Sequence, residues 1–167
     1  MDDPVETVVE DDRWNGIDIE ELARAACCAV LADRGMVPNR FGIAVLAADD
    51  ARIAALNAGF RGKPTPTNVL SWPETALQPE GEGDLPAEPR PGTPGDPVHL
   101  GDIALAWETC MCEAAEAGRP LRDHVLHLLV HGCLHLLGYD HERDGDAALM
   151  EGTEVRILAT LGVPDPY

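Results

Sequence analysis

The chain has 167 residues, 45% of them apolar, which is the size and composition of one ordinary domain around a single core. Thirty acidic residues against twelve basic ones leave a formal net charge of −18, which weighs against general nucleic-acid affinity, because that rests on lysine and arginine neutralising phosphates. No stretch approaches the roughly 18 to 20 apolar residues of a membrane span, and the acidic opening MDDPVETVVEDD lacks the basic flank of a secretory signal, so a cytoplasmic protein without a membrane partner is expected. Five cysteines is an odd number, and Cys27 and Cys28 are neighbours that cannot sensibly pair, which predicts reduced thiols.

In chain order, residues 5–11 alternate as a strand, and 17–35 carry a helical period with acids in the first turn and Gly35 as the stop. The β-branched run 41–48 predicts a buried strand. Residues 49–62 open on Asp49 and Asp50 as candidate caps and close on glycine, predicting a second helix. Segments 67–72 and 99–107 read as two more strands. Between them, 73–98 holds seven prolines, four glycines and a run of acids, which predicts a mobile surface loop that the fold can lose.

Residues 108–118 read as a helix. The segment 120–138 predicts a long one, with Pro120 at the start, where a missing N–H costs nothing, and Gly138 as a left-handed stop. A last helix covers about 144–161. Strands and helices alternate irregularly, and no strand is followed by a glycine-rich dinucleotide loop. The expected class is therefore α+β: a small mixed sheet of about four strands covered by about five helices, one domain over 1–167.

The chemistry concentrates in HGCLHLLGYDH, residues 131–141. At about 100° per residue, His124, His127, His131 and His135 fall in one stripe and Cys133 points away from it. His131 and His135, one turn apart, can hold one ion, and a helix stop at Gly138 lets His141 return to it. Three imidazoles without a fourth protein ligand describe an open, catalytic type of zinc site, one ion per chain. His127 is a candidate to support a ligand from behind, whereas His124 reads as an ordinary helix residue. Asp102, Asp140 and Glu154 are further candidates for supporting or proton-transfer roles, each of a type more often found as a cap, turn or surface acid.

The spacing H-x3-H-x2-G-x2-H is that of metzincin peptidases, with Gly132 where their general-base glutamate stands. The ligand geometry is kept and the peptidase's proton-transfer group is not. A glycine inside a helix also costs roughly 1 kcal/mol relative to alanine, which predicts that something approaches the backbone closely at Gly132.

Together with LNAGFRGKPTPTNVLSWP (56–73), LGDIAL (100–105) and MEGTEVRILATLG (150–162), the histidine motif resembles the YbeY family of bacterial metal-dependent endoribonucleases. The resemblance implies a zinc-dependent, single-strand-specific endoribonuclease of 16S rRNA maturation and ribosome quality control, with ribosomal RNA and the small ribosomal subunit as partners. It implies His131, His135 and His141 as zinc ligands and Arg61 as the basic residue that meets substrate phosphate; His131 and Arg61 are the expected catalytic residues, and Lys63, two positions on, is a second candidate cation for the substrate. Asn68 stands where the family more often has aspartate, Trp72 where it usually has phenylalanine, and 73–98 is longer than its usual connection. Arg119, Arg122 and Arg143 belong to segments that could join Arg61 and Lys63 along one cleft. Two other readings remain: a metallopeptidase-like hydrolase, favoured by ligand spacing and disfavoured by Gly132, and a ribosome-assembly protein in which zinc only holds the fold.

Overall fold

The alternating segments pair into one four-stranded sheet, and the helical segments cover both of its faces. The computed structural model describes residues 3–61 and 67–167, without the side chains of Phe60 and Arg61. Its strands are β1 (Val5–Val9), β2 (Phe41–Ala48), β3 (Val69–Pro73) and β4 (Val98–Ala106), and its α-helices are α1 (Ile19–Asp33), α2 (Asp50–Arg61), α3 (Trp107–Glu116), α4 (Leu121–Leu136) and α5 (Asp144–Thr160). Two short 3₁₀ turns, Asp12–Ile17 and Pro38–Arg40, precede α1 and β2. The sheet order is β1-β2-β4-β3, with β1, β2 and β4 parallel and β3 antiparallel to β4. The α+β class with a small mixed sheet is therefore what the structure has.

The two faces of the sheet are unequal. Ile43, Val45, Ile103 and Leu105 point into the larger core, where α1 and α4 contribute Leu22, Val30, Leu126, Leu129 and Leu134. Ala104 and Ala106 point the other way, into a smaller cluster with Ile53 of α2 and Leu70 of β3. This period-two alternation decides the place of Asp102, which lies between Ile103 and Gly101 on β4 and faces the α2 side, where its carboxylate meets His99 at 3.0 Å.

Helix α4 lies unusually close to β4 because glycines sit at two crossing points. A Cβ on Gly132 would stand 3.3 Å from Cγ2 of Ile103. Gly101 has φ +149, and a Cβ there would meet Leu136 of α4 at 2.7 Å and the carbonyl of Trp72. The close approach expected at Gly132 is therefore the sheet. A glutamate at this position would point at Ile103 in the core and not toward the histidines.

At its far end, α4 stops in a Schellman arrangement. Tyr139 N–H reaches the Leu134 carbonyl at 3.1 Å and Gly138 N–H the His135 carbonyl at 3.1 Å, with Gly138 at φ +97.

The proline-rich connection 74–97 has no helix and no strand beyond one isolated Thr93–Asp96 bridge. Its composition predicts that irregularity. It is nonetheless tied to the domain: Arg34 donates to the Pro86 carbonyl at 3.0 Å, and Arg143 donates to the carbonyls of Pro79 and Glu80 at 3.1 and 2.9 Å. Excision of 74–97 would remove all of these bonds, a cost that its composition does not show.

The glycine contact yields a direct test. Gly132→Glu should lower the melting temperature by about 10 °C or prevent folding, because it forces a carboxylate into the α4–β4 contact at a cost of about 3 kcal/mol or more. Gly132→Ala should melt within a few degrees of wild type, since its gain in helix propensity, about 1 kcal/mol, offsets a contact that Ile103 can relieve by a small shift. A wild-type melting curve for Gly132→Glu would mean that the position does not face the sheet.

Candidate metal centre

His131 and His135 face the same way from the last two turns of α4, and the Schellman stop brings His141 back beside them. One ring nitrogen from each lies within 4.8 Å of the other two. The ring centroids of His131 and His141 are 5.4 Å apart and those of His135 and His141 5.1 Å. His131 and His135 are partly buried, while His141 is exposed at the mouth of the site.

Hydrogen bonds to the back of the two helical rings fix which nitrogen faces the centre. Nδ1 of His135 lies 2.9 Å from the Tyr139 carbonyl, which can only accept, so Nδ1 carries the proton and Nε2 presents a lone pair. Nδ1 of His131 lies 3.0 Å from Oε2 of Glu154. Burial, which disfavours the charge, is outweighed for this carboxyl by hydrogen bonds from His127, His131 and Tyr167, which hold its pKa down at about 2. An ionised Glu154 only accepts, so the proton of a neutral His131 ring sits on Nδ1 and Nε2 turns a lone pair inward. The two Nε2 atoms stand 3.0 Å apart. Two lone pairs facing at that distance repel unless a cation lies between them, and this is the feature that fits the residues to a metal ion. Burial, followed by the charges of His131 and His141, pushes His135 down to about 4, so it stays neutral and able to ligate at ordinary pH.

Glu154 was the least legible of these residues. It comes from α5, its side chain is 0% exposed, and it accepts from three donors: His127 Nε2 at 3.0 Å, His131 Nδ1 at 3.0 Å and the Tyr167 hydroxyl at 2.6 Å. A signal for it was present. Met150, Thr153, Glu154, Ile157 and Leu158 form the buried stripe of α5, and an acid in an apolar stripe needs partners. His127 thus bonds the same Glu154 carboxylate that meets His131 from behind. His124 instead bonds Glu113 of α3 at 2.9 Å, and Glu113 also accepts from Asn68 at 3.0 Å.

Of the other candidates, Asp140 lies beside the cluster: Oδ1 accepts the His141 backbone N–H at 2.8 Å and Oδ2 accepts Gln78 Nε2–H at 2.7 Å. Asp102 faces the opposite side of the sheet and cannot support the histidines. Lys63 and the side chain of Arg61 lie outside the described residues.

A cleft of about 710 Å³ opens over the three histidines, walled on one side by Asn68, Val69, Ser71 and Pro73 along the outer edge of β3 and on the other by Tyr139, Asp140 and Glu142. No lysine or arginine lines it among the described residues. Arg119 donates to the Pro166 carbonyl at 2.7 Å, Arg143 is held by Asp146, and Arg122 lies exposed beside Asp123. The expectation that these three arginines line the cleft is therefore corrected: two are engaged in bonds within the chain, and the third points to solvent.

With this geometry established, comparison with known proteins identifies the fold's relatives. A family model described as Endoribonuclease YbeY matches residues 7–162. A protein of Cereibacter sphaeroides named Endoribonuclease YbeY is 57% identical over 167 residues, covering 100% of both chains, and one of the same name from Dinoroseobacter shibae is 56% identical over 170 residues, covering 99% of this chain and 93% of its own. A solution structure from Thermotoga maritima aligns with TM-score 0.55 over 95% of this chain and 91% of its own, at 19% identity, which supports the fold alone. The chain belongs to the YbeY family.

Proposed function

We propose that this protein is a zinc-dependent endoribonuclease that cuts single-stranded RNA in 16S rRNA maturation and ribosome quality control, with the small ribosomal subunit as its partner in the cytoplasm. The family membership supports RNA phosphodiester cleavage. The observation that carries the metal part of the reading is the pair of Nε2 lone pairs facing at 3.0 Å, with a third imidazole beside them. When bound, zinc supplies a Lewis acid for a phosphate oxygen and lowers the pKa of water.

The chain's own residues do the rest. Glu154 and the Tyr139 carbonyl hold the two helical rings with their nitrogens inward, so that no reorientation is needed when substrate arrives. His141 stands at the mouth, where an extended strand lying along β3 would meet it. The cleft offers no described cation, so contact with the substrate's phosphates falls to Arg61 and Lys63 on the segment that ends α2. Few phosphate contacts mean weak affinity for free RNA, and the ribosomal particle then supplies the remaining recognition.

A peptidase reading loses its support at Gly132, which faces Ile103 and offers no base at the position a peptidase uses.

Metal analysis of purified protein should find about one zinc per chain, and His135→Ala should abolish binding at stoichiometric metal. A full equivalent of zinc retained by that variant would mean the ligands lie elsewhere. Glu154→Gln should weaken zinc binding about tenfold or more in competition with a chelator, because the amide cannot accept as a carboxylate does from both His127 and His131; unchanged affinity would remove Glu154 from the centre.

Arg61→Ala should reduce single-turnover cleavage of a short single-stranded RNA strongly, with zinc content and melting temperature close to wild type. Arg61→Lys should restore only part of the rate, since an ammonium lacks the planar fork that grips a phosphate. Equal rates in all three proteins would exclude Arg61 from the reaction.

A further inference from the structure

His131 and His135 are fixed by α4, whereas His141 sits in the turn between α4 and α5 with no regular element to hold it. What holds that turn is the proline-rich connection, and the two segments match almost residue for residue. The Leu77 backbone packs on Gly138 so closely that a Cβ there would stand 2.7 Å from the Leu77 carbonyl. Gln78 Nε2–H donates to Asp140 Oδ2 at 2.7 Å, and the other oxygen of the same carboxylate accepts the His141 N–H at 2.8 Å. Arg143 donates to the Pro79 and Glu80 carbonyls. Glu82 accepts the Gly145 N–H at 2.8 Å, and Asp146 accepts the Gly83 N–H at 2.8 Å while pairing with Arg143. The connection closes on itself through Ala87 N–H to the Leu77 carbonyl at 3.3 Å. Its other face is functional, because Thr75, Ala76, Leu77 and Gln78 form part of the cleft that holds the three histidines.

We propose that residues 75–83 are a strap that positions the third histidine, with Gln78 as its positioning residue acting through Asp140, and that metal occupancy and strap order are coupled. The inference rests on the metal reading above. If the strap lowers the freedom of His141 before the ion arrives, the ion must in turn stabilise the strap by the same factor, since coupling between two sites is reciprocal. Loading the centre therefore also completes one wall of the cleft. A purely structural strap would support the fold without any such link.

The test uses the full chain and zinc alone as the probe. Gln78→Ala should bind zinc about tenfold more weakly by chelator competition, the size of effect expected for a group that orients a ligand from behind, while the metal-free variant melts like metal-free wild type. Gln78→Glu should bind more weakly still, because a second carboxylate beside Asp140 repels it and loosens the turn. With cobalt in place of zinc, the visible spectrum of Gln78→Ala should differ from wild type as the His141 geometry relaxes. In wild type, zinc should slow hydrogen exchange at the Gly83 and Ala87 amides, and in Gln78→Ala that slowing should be reduced. Wild-type zinc affinity in Gln78→Ala, or zinc-independent exchange at Gly83 and Ala87, overturns the strap while leaving the metal centre standing. A wild-type protein that binds no zinc overturns both.

Discussion

The end of α4 is the constraint from which the rest of the site follows. A helix that stops in a Schellman turn must satisfy its last carbonyls, and here Tyr139 and Gly138 do so through their N–H groups. The carbonyl of the same Tyr139 then takes the Nδ1 proton of His135. One turn of backbone thus ends the helix, selects the tautomer of His135 and sends the chain back toward His141. Gly138 is required on two counts, by its positive φ and by the Leu77 backbone against it. The position of α4 is in turn set by glycine, since Gly132 and Gly101 let the helix settle on β4 near the outer edge of β3. That contact brings the histidines to the cleft.

Sequence reasoning succeeded where one local period determined the answer. The short β-branched apolar run 41–48 matches β2 at both ends, and the i, i+4 spacing of His131 and His135 placed them on one face. It failed where a residue's role depends on what another element brings. Asp102 looked like a candidate because of its neighbours in the chain, yet the same alternation that buries Ile103 and Leu105 sends it to the α2 face. Glu154 looked ordinary because its place in the apolar stripe of α5 does not say which donors it meets. Its partners His127 and His131 lie on another helix, more than twenty positions away.

The connection 73–98 shows the same limit in another form. Its prolines and acids correctly exclude regular structure, and composition carries no further information. Beside the side-chain bonds of Gln78 and Glu82, it is attached through the Pro79 and Glu80 carbonyls, which meet Arg143, and the Gly83 N–H, which meets Asp146, some sixty positions away. A carbonyl has no side-chain identity, so a segment held by its carbonyls leaves no residue pattern to read. The arginines misled for a related reason: Arg119 and Arg143 carry the charge a phosphate site wants, but their donors go to Pro166, Pro79, Glu80 and Asp146.

The acidity of the chain then has a physical use in the ribonuclease reading. A body with formal charge −18 repels polyanions at all points where no local cation opposes it. The described walls of the cleft add carboxylates at Asp140 and Glu142 and no lysine or arginine. Glu154 is ionised behind His131 and adds a further negative charge at the centre. A divalent ion held by the three histidines would oppose that sign locally. RNA then has little reason to settle on the unloaded protein or elsewhere on its surface. Under the proposed function, such a body would favour encounter at a loaded cleft over chance contact with free RNA.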